Sequence, residues 1–186
     1  VSQNNRASAA GVLAVSGGTL KVTDLLCFST AGATSVFDLT GGLVDVTGTT
    51  KAFSSTSGSC FMNLTGGPLR MKTLSIPENK NVKLWFHADG GTVEAGADDT
   101  DLLPNYVSYD YRLGAKGLVI WTDCHETRST ALFKNADEVD GESKIDIDKL
   151  AFLTCRGGWP KSTLKKSKLT TRDSRVKERK KYGKYG

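Results

Sequence analysis

One short pattern recurs four times at an almost constant interval, and it limits the possible folds more than any other feature of the chain. The copies read VLAVSGGTLKV (12–22), VFDLTGGLVDV (36–46), FMNLTGGPLRM (61–71) and WFHADGGTVEA (85–95), with glycine pairs beginning at Gly17, Gly41, Gly66 and Gly90. The steps are therefore 24, 25 and 24 residues. Self-similarity at such a period marks a repeat architecture. A stack of repeats offers a long surface rather than one deep pocket, which turns the functional expectation from catalysis toward adhesion, scaffolding or spacing.

Within each copy, apolar and polar residues alternate on both sides of the glycines. The apolar sets are Leu13/Val15, Phe37/Leu39, Met62/Leu64 and Phe86/Ala88 before the pair, and Leu20/Val22, Val44/Val46, Leu69/Met71 and Val93/Ala95 after it. Alternation of period two marks a half-buried strand. The inward set changes from odd to even numbers, or the reverse, across every Gly-Gly, so one residue is absorbed at a bend that glycine permits. Each repeat thus holds two short strands meeting at a corner, with Leu26, Phe28 and Phe53 available for a third side. One such coil buries too few side chains to offset the entropy of ordering its backbone, so the coils must stack. The predicted fold is all-β: a parallel β-solenoid of about 24-residue coils over residues 1–96, an irregular β cap over 97–160 and a basic extended tail over 161–186.

Stacking makes a further commitment about register. Between the two apolar positions after each glycine pair stand Lys21, Asp45, Arg70 and Glu94, which would form one outward, exposed column of alternating charge. The matching column before the glycines is Ala14–Asp38–Asn63–His87. Neither clusters acids as the two-carboxylate chemistry of glycosidases requires. Cys124-His125-Glu126 supplies nucleophile and base types, but neighbours on a strand point to opposite faces. No catalytic residue, metal site or cofactor is assigned, and a carbohydrate-active solenoid enzyme ranks as the second alternative. The fourth copy replaces the hydroxyl residue with Asp89 and thins the core at Ala88 and Ala95, so the stack is expected to end near residue 96. Cys27, Cys60, Cys124 and Cys155 are scattered without a CxxC and are read as unpaired buried thiols, with one disulfide of undetermined pairing open in an oxidising compartment.

The string Φ-x-Φ-[Ser/Thr]-Gly-Gly-x-Φ-x-Φ, clearest in FDLTGGLVDV and MNLTGGPLRM, resembles the repeats of autotransporter-type and related exported surface proteins of bacteria. The resemblance covers residues 11–96 and implies right-handed solenoid coils in a protein at the cell surface or outside the cell. The implied role is non-enzymatic adhesion, contact or spacing toward an unknown surface partner or a polysaccharide. The chain opens at Val1 without a signal-like segment, which reads as a processed product or fragment. No apolar run reaches the roughly 18 residues that would span a bilayer as a helix.

Charge divides the chain. Residues 161–186 carry 11 of the 25 Lys and Arg but only 2 of the 20 acids, a net +9; the preceding 160 residues hold 14 cations against 18 acids, a net −4. Such a basic segment, with Tyr182 and Tyr185 able to stack, is an electrostatic footprint for polyanions. Within it, TTRDSRVKERKKYG (170–183) resembles the C-terminal tail of the ninth small-subunit ribosomal protein, matching at Thr171, Arg172, Asp173, Arg175, Glu178, Arg179, Lys180, Lys181 and Gly183. That family's basic N-terminal strand motif and terminal Lys/Arg segment are missing. The resemblance implies RNA as partner and a cytoplasmic, ribosomal location as the first alternative. The polyanion-binding residues expected are Arg172, Arg175, Lys177, Arg179, Lys180, Lys181, Tyr182 and Lys184.

Overall fold

Parallel pairing between equivalent segments of successive repeats builds the molecule. A computed structural model of the chain describes residues 10–26, 33–48, 50–51, 57–75, 81–98, 100–136 and 149–153, all within a unit spanning Val1–Thr154; a second unit comprises Cys155–Gly186. The strands of the first coil are β1 (Ala10–Val15), β2 (Thr19–Val22) and β3 (Leu25–Leu26). The same triplet recurs as β4 (Ala33–Leu39), β5 (Leu43–Val46) and β6 (Thr50–Lys51), then as β7 (Ser57–Leu64), β8 (Pro68–Met71) and β9 (Leu74–Ser75). The fourth copy forms β10 (Asn81–Ala88), β11 (Gly91–Ala95) and β12 (Thr100–Asp101). One six-stranded sheet collects β1, β4, β7 and β10, a second collects β2, β5, β8 and β11, and β3, β6 and β9 make a narrow third side. The protein is a parallel β-solenoid, as the spacing of its glycine pairs predicts.

Register follows the repeat residue for residue. Leu20 pairs with Val44, Val44 with Leu69, and Leu69 with Val93, and all but Leu20 are fully buried. In the first sheet Leu39 lies against Leu64 and Leu64 against Ala88, each 0 % exposed. The change of parity at the corner is real: positions 33, 35, 37 and 39 point inward before Gly41-Gly42, and positions 44 and 46 after it. Gly18, Gly42 and Gly67 take φ of +72°, +78° and +71°, a conformation that side chains resist. Crowding enforces the first glycine as well, since a Cβ on Gly41 would lie 2.6 Å from the Ser16 carbonyl oxygen of the coil beneath.

The stack does not end near residue 96. Strands β13 (Tyr109–Leu113), β14 (Leu118–Trp121) and β15 (Thr127–Arg128) pair in parallel with β10, β11 and β12, and β16 (Phe133–Asn135) and β17 (Leu150–Leu153) extend the two main sheets to six strands each. Among its described residues, the region read as an irregular cap therefore continues the solenoid. Its corner hid the continuity, because Gly114–Gly117 places four residues where Asp89-Gly90 places two, counting between the paired Ala88/Leu113 and Gly91/Leu118. Asp89 serves that wider corner, its Oδ1 accepting the backbone N–H of Lys116 at 2.7 Å. Ala88 sits between Leu64 and Leu113 as an interior residue.

On the third side, Leu25, Thr50 and Leu74 stack in register and are buried; the Leu26 side chain, Phe28 and Phe53 lie outside the described residues. Cys60 packs in the core like a small hydrophobe. Cys124 is disulfide-bonded, which corrects the reading of it as an unpaired buried thiol. Cys27 and Cys155 fall outside the described residues.

Candidate contact face

The column Lys21–Asp45–Arg70–Glu94 forms in the predicted order, through the pairs Lys21/Asp45, Asp45/Arg70 and Arg70/Glu94. Lys21 Nζ lies 3.7 Å from Asp45 Oδ2, and the Arg70 guanidinium holds Glu94 Oε1 through Nε at 2.9 Å and through a second, shorter contact from Nη2. The hydrogen bond to Glu94 keeps the Arg70 pKa above its ordinary value, against the opposing effect of burial. The column is exposed only in part, for Lys21 is 69 % accessible and Arg70 about one-third, whereas both acids are covered. Glu94 is 2 % and Asp45 9 % accessible, because the ladder continues to Trp121 directly beside Glu94, and Asp123 adds its charge near Arg70. With its carboxylates covered and paired, the ladder holds coils in register and leaves little acid for a ligand to reach.

The accessible long face belongs to the other six-stranded sheet. Two of its outward ladders run along the middle of the strands. One is Ala14–Asp38–Asn63–His87–Arg112–Lys134. Beside it runs Val12–Val36–Phe61–Trp85–Asp110, apolar over its first four positions. Val12 is 68 % exposed, and Val36, Phe61 and Trp85 are half-buried. The Phe61 and Trp85 rings are stacked, 6° from parallel with centroids 4.6 Å apart. That distance matches the spacing of adjacent strands, about 4.8 Å, so the rings stand on end and turn their edges outward.

Polar contacts flank this stripe. Asn63 Nδ2 donates to Asp38 Oδ1 at 2.6 Å, Arg112 Nε donates to Asp110 Oδ2 at 3.0 Å, and Lys134 Nζ approaches Asp110 Oδ1 at 3.9 Å. His87 Nε2 is buried without a hydrogen-bond partner among the described residues. Asp38 and Asp110 stand three strands apart, about 14 Å, beyond the roughly 5–9.5 Å between glycosidase carboxyl groups.

The Cys124-His125-Glu126 segment is a loop fixture. Cys124 is held in a disulfide, while Asp98 Oδ1 accepts the Glu126 backbone N–H at 2.9 Å and lies 3.0 Å from His125 Nδ1. These two contacts, the backbone one first, hold the Asp98 carboxyl below its usual pKa. Among the described residues no group of three His, Cys, Asp or Glu is placed to hold a metal ion. The residues expected to bind polyanions, Arg172, Arg175, Lys177, Arg179, Lys180, Lys181, Tyr182 and Lys184, lie outside the described part of the chain.

Sequence reasoning assigned the Ala14–Asp38–Asn63–His87 column but missed the stripe beside it. The signal was present: Val12, Val36, Phe61 and Trp85 each stand five residues before a glycine pair. They fall at polar positions of the alternation, where an apolar residue on every coil is itself informative. No family model, no curated protein and no solved structure matches the chain.

Proposed function

We propose that this protein is a non-catalytic contact element of a surface or exported protein, in which the solenoid holds a rigid lengthwise face against a partner. The observation that carries the reading is the Val12–Val36–Phe61–Trp85 stripe, four outward apolar side chains kept in line by strand register. Aligned apolar side chains at solvent-facing positions mark interaction surfaces. Because the two rings cover each other's faces, the stripe offers edges and methyl groups, which suit the apolar patch of a protein better than stacking on a sugar ring. Autotransporter-like repeats agree with that placement.

The test replaces Val12, Phe61 and Trp85 together by Ser. Beads coated with the native chain should adhere to cells or immobilised matrix proteins at least about tenfold better than beads carrying the triple variant, a loss of about 1.4 kcal/mol or more. Both proteins should keep a β-type circular dichroism spectrum. Equal adhesion would remove the stripe from the argument, and cleavage of a polysaccharide by the native chain would favour the carbohydrate-active alternative.

The charge division supports a second reading, that the basic segment binds RNA or another polyanion independently of the solenoid. With about six phosphates engaged on single-stranded RNA, log K should fall against log salt with a slope near −4. A chain truncated after Pro160 should lose this binding and keep its melting temperature. Undiminished binding by the truncated chain would refute the division.

A further inference from the structure

The outward ladders of the accessible sheet carry a symmetry that strand pairing alone does not require. Along the polar ladder the second position is the acid Asp38, and the fifth and sixth are the bases Arg112 and Lys134. The midpoint of that ladder falls between β7 and β10, the strands on which Phe61 and Trp85 stack in the neighbouring line. The ends of that line match as well. Val12 opens it at 68 % exposure and Leu132 closes it at 66 %, since Leu132 precedes Phe133 as Asp110 precedes the paired Tyr111.

A line that runs from acid to base, beside one that is aromatic at its centre and apolar at both ends, is complementary to itself when turned end for end. A two-fold axis parallel to the strands, placed at the shared midpoint between two facing copies, sets the first coil of one against the sixth of the other. Asp38 then meets Arg112, Phe61 meets Trp85 and Val12 meets Leu132, each contact occurring twice, as an isologous interface requires. Among the described residues Asp38 has Asn63 as a hydrogen-bond donor and no cation within ion-pair distance, so the Arg112 of a second copy supplies the charge it lacks. Val36 meets Asp110, whose carboxylate arrives already held by Arg112 at 3.0 Å and approached by Lys134 at 3.9 Å.

We infer that this face pairs with the same face of a second copy of the chain, turned end for end. The inference rests on the reading of the sheet as a contact face, and it supplies the partner. Opposite charges placed across an interface fix its register and exclude other alignments. Here the charge line and the aromatic line select the same alignment. The face measures about 24 Å along the stack and about 20 Å across. Two such faces bury an area at the low end of specific interfaces, so the dimer should be reversible, with a Kd of about 1–100 μM.

Sedimentation equilibrium of the full chain tests this. Asp38→Arg and Arg112→Asp should each weaken self-association at least about tenfold, because like charges then face each other. Mixed in equal amounts, the two variants should dimerise with one another about as tightly as the native chain does with itself, since each acid again meets a base. A role for either residue inside its own chain predicts no such rescue. Should Arg112→Asp fail to fold, Val12→Glu mixed with Leu132→Lys tests the same alignment at two exposed positions, and that mixture should associate more tightly than either variant alone. A native chain that stays monomeric at about 100 μM, or mixtures that associate no better than their separate components, would overturn the inference. Bead adhesion to matrix proteins is a separate readout. A monomeric chain whose adhesion still depends on Val12, Phe61 and Trp85 would remove the second copy and keep the contact face.

Discussion

Leu64→Asp should leave the solenoid unable to fold. Leu64 has no solvent exposure and sits in the middle of a column, with Leu39 on one side and Ala88 on the other. Its truncation to Ala alone should cost roughly 2–5 kcal/mol, the lost transfer energy plus the cavity. Aspartate adds a carboxylate with no described basic group in its column, and burying an unpaired charge costs several kcal/mol more. A domain of this size has a total stability of about 5–15 kcal/mol, so the sum consumes most or all of it. Ala88→Asp should be comparably damaging, because β13 covers Ala88 with Leu113. Thermal melting followed by circular dichroism checks both. An Ala88→Asp protein that melts like the native chain while Leu64→Asp is unfolded would mean that the stack stops at the fourth coil after all.

Arg70→Met should be the most damaging change at any outward-facing position, and Arg70→Met/Glu94→Leu should recover most of the loss. Glu94 is almost inaccessible, and the Arg70 guanidinium is the cation bonded to it. Removing one partner of a buried pair typically costs 3–5 kcal/mol. Arg70 is about one-third exposed, so water can reach part of the site and a loss of about 2–3 kcal/mol is the better expectation. Replacing both partners by apolar residues removes the orphaned charge, and such exchanges are often neutral or stabilising. Lys21→Met should matter far less, within about 0.5 kcal/mol, because Lys21 is 69 % exposed. Urea denaturation of the four proteins gives the comparison. A double variant as unstable as Arg70→Met would show that the ladder stabilises through packing of the arginine stem and not through its charge.

Much of this architecture was legible because a solenoid writes its register into sequence distance. Once Gly17, Gly41, Gly66 and Gly90 are aligned, every ladder partner in the two main sheets of the first four coils follows, including Lys21–Asp45–Arg70–Glu94. Burial was not legible in the same way. The Glu94 carboxylate is covered because Trp121 follows it in the ladder, and that neighbour comes from a coil whose corner, Gly114-Ala115-Lys116-Gly117, has two extra residues and no glycine pair. The same wide corner concealed the fifth coil. Asp89 looked like a lost hydroxyl at a failing repeat, whereas its carboxylate caps the Lys116 amide above it. The contact stripe was overlooked for a different reason. Alternation counts apolar residues at inward positions, and Phe61 and Trp85 stand at outward ones, where only their recurrence on successive coils makes them visible. The third side resisted prediction because its strands are two residues long, too short to display a period.

The parallel ladder also gives the molecule a mechanical direction. The ladders join residues 22 to 32 positions apart, about one coil, so each coil is fastened mainly to its two neighbours. Tension applied to the two ends of the described stack therefore loads the outermost ladder first and peels coils one at a time instead of breaking the whole core together. Each detached coil of about 24 residues would pay out roughly 75 Å of extended chain where it had occupied about 4.8 Å of the stack. A tether made this way lengthens in steps under pull and keeps the remainder of its face intact, a behaviour suited to holding two surfaces that drift apart.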